Sequence, residues 1–149
     1  MKEKLELVKR GLIIVDMIDG FVKEGALADP TIGRIVNENV RLAKKFLESN
    51  EPIIAFRDVH SVDSEEFKSF PPHCIEGTNE VEFVEGLREL SDKFIVIDKN
   101  STSGMFAPSF IEYVKSMENI TEIVITGCCT DICVLNLAIP LKNFFNQVN

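Results

Sequence analysis

Ile123-Val124-Ile125-Thr126-Gly127-Cys128-Cys129-Thr130-Asp131-Ile132-Cys133-Val134 is the stretch on which the reading of this chain turns. The β-branched run that ends at Gly127 predicts a buried strand and its turn. The segment from Ile132 through Val134, Leu135 and Leu137 predicts a helix capped by Thr130 or Asp131. Cys133 then lies in the first turn of a helix, at the carboxyl end of a strand. Free backbone N–H groups and the positive end of the helix dipole favour a thiolate there, and the same groups can hold an oxyanion. Most free cysteines are packing residues, so a catalytic reading of Cys133 needs partners from elsewhere in the chain.

Working outward, the same strand signal recurs three times. Gly11 to Val15 leads to Asp16, Pro52 to Arg57 leads to Asp58, and Phe94 to Ile97 leads to Asp98-Lys99. Between these runs the spacing predicts helices over Thr31–Asn50, Glu80–Leu90 and Pro108–Met117. A last helix runs from Asp131 to about Gln147, and Pro140 is expected to kink or split it. Wholly apolar strands alternating with helices indicate a parallel sheet covered on both faces, in three α/β/α layers. Ligands bind such sheets beyond the carboxyl ends of the strands. Asp16, Asp58, Lys99 and Cys133 all arrive at that edge, a convergence that packing does not require.

A long loop from Val59 to Asn79 carries both histidines of the chain. In Asp58-Val59-His60, residues i and i+2 of an extended segment point to one side, so both can meet one metal. His73 follows the stiff Phe70-Pro71-Pro72, and Glu66 between them offers a further carboxylate. Such a nitrogen and oxygen donor set suits Zn(II), Fe(II) or Mn(II).

Composition bounds the rest. One domain spanning 1–149 has length enough for a core, and 45% hydrophobic residues without low-complexity tracts make it globular. A net charge of −8 argues against nucleic acid or an anionic membrane as partner. The first apolar run is too short for a signal peptide, and Cys74, Cys128, Cys129 and Cys133 form no disulfide framework. A cytoplasmic protein is expected.

These segments together resemble the nicotinamidase branch of the isochorismatase-like cysteine hydrolases. The matching motifs are Ile14-Val15-Asp16-Met17 with Gly20-Phe21, and Arg57-Asp58-Val59-His60. They continue with Phe70-Pro71-Pro72-His73-Cys74 followed by Gly77-Thr78, then Asp98-Lys99 with Ser103 and Phe106, and Gly127 with Thr130-Asp131-Ile132-Cys133-Val134. The resemblance covers essentially the whole chain, in order and spacing. It implies the Rossmann-like isochorismatase hydrolase fold and hydrolysis of a small carboxamide, nicotinamide first, to nicotinate and ammonia. It implies Asp16 as base, Lys99 as partner of the thiolate, Cys133 as nucleophile, and the backbone N–H groups of Cys129 and Cys133 as oxyanion hole. Asp58, His60 and His73 would hold a metal that orients the ring, with Glu66 as a fourth ligand of the kind some members have. Phe21 and Phe70 would wall the substrate. The alternatives are a cysteine amidase of the family acting on another amide, and a non-catalytic metal- or ligand-binding relative. Self-association into a homo-oligomer is a further expectation.

Three departures accompany the resemblance. Ile18-Asp19 replaces a polar pair, and Pro140 stands where alanine or a similar residue is usual. Family chains also continue further, so a C-terminal strand and helix are expected to be missing and one sheet edge to be open.

Overall fold

The computed structural model describes residues 9–116 and 120–148. Four strands, β1 (Arg10–Val15), β2 (Ile53–Asp58), β3 (Ile95–Lys99) and β4 (Glu122–Gly127), form one sheet in the order β3-β2-β1-β4. Every pairing is parallel. Because side chains alternate across a strand, β1 feeds both faces. Leu12 and Ile14 enter one core with Ala43 and Phe46 of helix α2 (Val36–Glu48). Ile13 and Val15 enter the other, with Phe110 and Val114 of α3 (Phe110–Ser116) and Leu137 and Leu141 of α4 (Leu135–Val148). The three-layer α/β/α expectation therefore holds. Each buried aliphatic side chain contributes roughly 1.5–3 kcal/mol, and the central strands are buried on both faces.

The strands fall where the apolar runs placed them, to within two residues at most ends. The helices depart more. Thr31–Asn50 begins as a 3₁₀ segment, Pro30–Ile35, with Asp29 accepting from the Thr31 N–H, and becomes α-helical only at Val36. Glu80–Leu90 is not a helix. Phe83 makes an antiparallel bridge with Ile18, Asp19 N–H donates to Glu82 O at 2.8 Å and Val84 N–H to Met17 O at 3.0 Å. Those tertiary bonds hold the segment extended between two short 3₁₀ turns, Asn79–Val81 and Arg88–Lys93. A four-residue helix α1 (Asp19–Val22) follows β1. The predicted end of the third helix, Met117, lies outside the described residues.

Pro140 does not split α4. It lacks an N–H, so the Asn136 carbonyl one turn back loses its helical donor. Ser103 Oγ donates to that carbonyl at 2.8 Å, which ties the segment after β3 to α4. No described helix is long and apolar enough to cross a membrane.

Among the described residues, no strand pairs with the outer edge of β4. A groove of about 870 Å³ runs between that edge and α4, lined by Ile123, Ile125, Leu141 and Phe145. None of the site residues described below lies in it.

Candidate active site

The strand ends bring their residues together. Asp16 follows β1 with φ 52°, in the left-handed region that an Asp tolerates better than most residues. Beside it, Gly127 ends β4 at φ 118°, where a Cβ would lie 2.0 Å from Val15 O. Only glycine lets β4 approach β1 this closely before turning toward the nucleophile. The Cys128–Cys129 peptide is cis, and Cys128 N–H donates to Val15 O at 2.9 Å. The turn that follows, Thr130–Val134, is π-helical and runs directly into α4. Its cap is Cys129, whose carbonyl accepts from Ile132 and Val134, so neither Thr130 nor Asp131 plays the predicted capping role. Cys133 lies in that first turn, as expected.

Lys99, 3% exposed, is the hub. Its Nζ lies 2.8 Å from Asp16 Oδ2, donates to Asp58 Oδ1 at 2.9 Å and to Ser101 O at 3.0 Å, and reaches Cys133 Sγ at 3.9 Å. Burial alone would discharge this ammonium, but Asp16 and Asp58 outweigh it and hold Lys99 protonated well above its ordinary range. Asp16 is fully buried, and neither of its oxygens has a well-directed hydrogen-bond partner. Lys99 pairs with it by charge, and the Cys133 thiol approaches it. Burial pushes Asp16 up to about 6 against the pull of Lys99.

The thiol departs from expectation. Burial first, and then the neighbouring Asp16 charge, push Cys133 up, and Lys99 only partly offsets them. These surroundings favour the thiol form of Cys133, against the thiolate that its place at a helix start suggests. Desolvation and one like charge outweigh the helix end and one lysine.

Asp58, His60 and His73 are all buried, and their donor atoms lie within 4.8 Å of one another. Asp58 Oδ2 meets His60 Nε2 at 2.9 Å and His73 Nε2 at 3.1 Å. His73 Nδ1 donates to Pro71 O at 2.7 Å, and His60 Nδ1 pairs with Ser64 Oγ at 3.1 Å. With its proton on Nδ1, His73 turns the lone pair of Nε2 toward a carboxylate oxygen. Two acceptors then face each other, which needs an added proton or a cation between them. The donor set thus fits a divalent metal. Burial opposes a charge on His73, but Asp58 and the Pro71 carbonyl prevail and raise its pKa. Asp58 sits below the usual carboxylate range: burial works against this, and the two imidazoles and Lys99 outweigh it. Glu66 Oε2 comes to 3.9 Å from His60 Nε2, outside the close cluster of three.

A cavity of about 170 Å³ joins the two halves of the site. Phe21, Leu27, Asp58, Glu66, Phe70, His73, Thr102, Cys129, Ile132 and Cys133 line it. Phe21 and Phe70 stand 6.0 and 6.2 Å from the His73 ring. The sequence reading missed Leu27, Thr102 and Ile132 on the wall, and Phe67, whose ring lies 5.4 Å from His60 and 5.5 Å from His73. An apolar residue inside a polar loop is the one signal that would have marked Phe67.

The isochorismatase domain model matches residues 10–143. The chain belongs to the isochorismatase family. It is 37% identical to nicotinamidase 1 of Arabidopsis thaliana over 85% of its own length, and spans 57% of that protein. Pyrazinamidase of Pyrococcus horikoshii, solved in complex with zinc, superposes with a TM-score of 0.81 at 26% identity, covering 91% of this chain and 79% of that one. N-carbamoylsarcosine amidase of Thermoplasma acidophilum gives 0.80 at 26% identity, over 89% and 75% of the two chains. As a family member, this chain has the isochorismatase-like fold, and the convergence of Asp16, Lys99 and Cys133 is read within it.

Proposed function

We propose that the chain hydrolyses a small ring carboxamide, nicotinamide first, through a thioester on Cys133. One observation carries this: Lys99 links Asp16 and the Cys133 thiol to Asp58 of the metal-ready triad, and Cys133, Asp58 and His73 line the same small cavity. At about 170 Å³ the cavity is below the range for drug-sized ligands and suits a single-ring molecule. The similarity to a plant nicotinamidase and to a zinc-bound pyrazinamidase supports the same reading.

In this mechanism Asp16 takes the proton from the Cys133 thiol as sulfur attacks the amide carbonyl. Lys99, already protonated, balances the charge passing from Asp16 to sulfur. The tetrahedral oxyanion is held by the N–H groups of Cys129 and Cys133. Among the described residues no hydrogen bond takes up the Cys129 N–H, which leaves it available for this task. Asp16 returns its proton to the departing ammonia, and water, activated by Asp16, then cleaves the thioester. Phe21 and Phe70 bound the ring. Asp58, His60 and His73 would hold a divalent metal, zinc before iron or manganese, with Glu66 at its margin. Bound there, the ion would supply a Lewis acid for a ring nitrogen of the substrate. A cytoplasmic setting fits the four free cysteines.

The structural likeness to an N-carbamoylsarcosine amidase favours a second reading, a ureido or other linear amide as substrate. Ammonia release from nicotinamide, pyrazinamide and N-carbamoylsarcosine, each with added Zn(II), Mn(II) or Fe(II), separates the two. Turnover of the ring amides alone supports the first. Turnover of the ureido compound alone transfers the function to the second, and no release from any of them removes both.

A further inference from the structure

We infer that Glu80 is a positioning residue for the metal triad, acting through the backbone of Cys74; this rests on the metal reading above. Cys74 is the joint between the two histidines. Its carbonyl accepts from His60 N–H at 2.9 Å, and its own N–H donates to Glu80 Oε2 at 2.7 Å. Both polar groups of Cys74 are therefore held, one by a metal-site residue and the other by Glu80. His73 is the residue immediately before this joint. A parallel bridge between His60 and Ile75 and a bond from Glu76 N–H to His60 O at 2.9 Å complete the stitch.

Two further features show that the joint needs holding. Cys74 adopts φ 47°, a left-handed conformation disfavoured for any residue with a Cβ. A charged acceptor on its N–H is the stronger kind of hydrogen bond and fixes that peptide's orientation. The carboxylate also lies directly over Gly25, where an added Cβ would stand 2.6 Å from Oε2. The space above Gly25 is thus reserved for the Glu80 head group. Gly25 belongs to the same loop as Leu27, a wall residue of the substrate cavity. Glu80 touches neither imidazole; it sets where they stand.

Supporting groups around a metal typically alter affinity by about 10–100-fold when removed. The test compares the intact protein with Glu80→Ala, Glu80→Asp and Glu80→Gln. Zn(II) affinity is measured by chelator competition, and the visible bands of the Co(II)-loaded protein report ligand geometry. The expected result is weakening of Zn(II) binding by about tenfold or more in Glu80→Ala and Glu80→Asp, with altered Co(II) bands. Glu80→Gln, which keeps an acceptor at the same reach but loses the charge, should fall between wild type and Glu80→Ala. Wild-type affinity and Co(II) bands in Glu80→Ala overturn the proposal. Should that variant fail to fold, the same result in Glu80→Asp overturns it. A wild-type protein that binds neither ion defeats the metal reading itself, and this inference with it.

Discussion

The surroundings that disfavour a Cys133 thiolate shift attention to Asp16, whose charge opposes that thiolate and which, in the proposed mechanism, receives the proton. Asp16 must be ionised to act as base, and its pKa is raised from 3.8 to about 6. The sign follows directly: kcat/KM should be level above that value and fall about tenfold per pH unit below it. A rate profile that stays flat down to pH 4 would remove Asp16 from this role. Asp16→Asn gives a sharper contrast. Removing the carboxylate takes away one cause of the raised thiol pKa, so alkylation of Cys133 by iodoacetamide should begin at lower pH. Turnover should nevertheless fall by about 10²–10⁴-fold, because the base is gone. An unchanged alkylation profile would contradict the electrostatic account. At this scale the residues that meet at the candidate site were legible, because Asp16, Asp58, Lys99 and Cys133 sit at or just beyond the ends of apolar strands. Thr102, Leu27 and Glu80 were not, since only folding brings them to the site and nothing local marks them; Phe67 had only its apolar character inside a polar loop to mark it.

The link from Ser103 to the Asn136 carbonyl shows how elements share bonds. Pro140 removes one helical donor and a side chain from another layer supplies its replacement. Ser103→Ala should cost about 1 kcal/mol in urea unfolding. In a Pro140→Ala background, where the helix regains its own N–H, the same substitution should cost clearly less. Equal costs in both backgrounds would show that the two features are independent. Gly127 is less forgiving: with a Cβ 2.0 Å from Val15 O, Gly127→Ala should yield no soluble folded protein, and a normal thermal melt would refute the packing. The elements themselves were unevenly readable. Continuous apolar runs identified all four strands, although only β1 and β2 are buried along nearly their whole length. Glu80–Leu90 carried a helix-like pattern and yet is extended, because the Ile18–Phe83 bridge and its flanking hydrogen bonds override local preference.

Across the whole molecule, the candidate site gathers at one edge of the sheet, while on the β4 side no strand pairs among the described residues and an apolar groove lies beside it. Exposed strand edges template pairing with other chains. Light scattering should therefore detect association that grows with protein concentration. Ile123→Lys, a charge placed in the groove away from the cavity, should suppress it, and scattering unchanged by that substitution would assign the association to another surface. The consequence reaches the assay bench. β4 is also the strand that delivers Gly127 and, through the turn, Cys133. Strangers stacking on its rim therefore burden the support of the proposed nucleophile, and specific activity should climb as the enzyme is diluted.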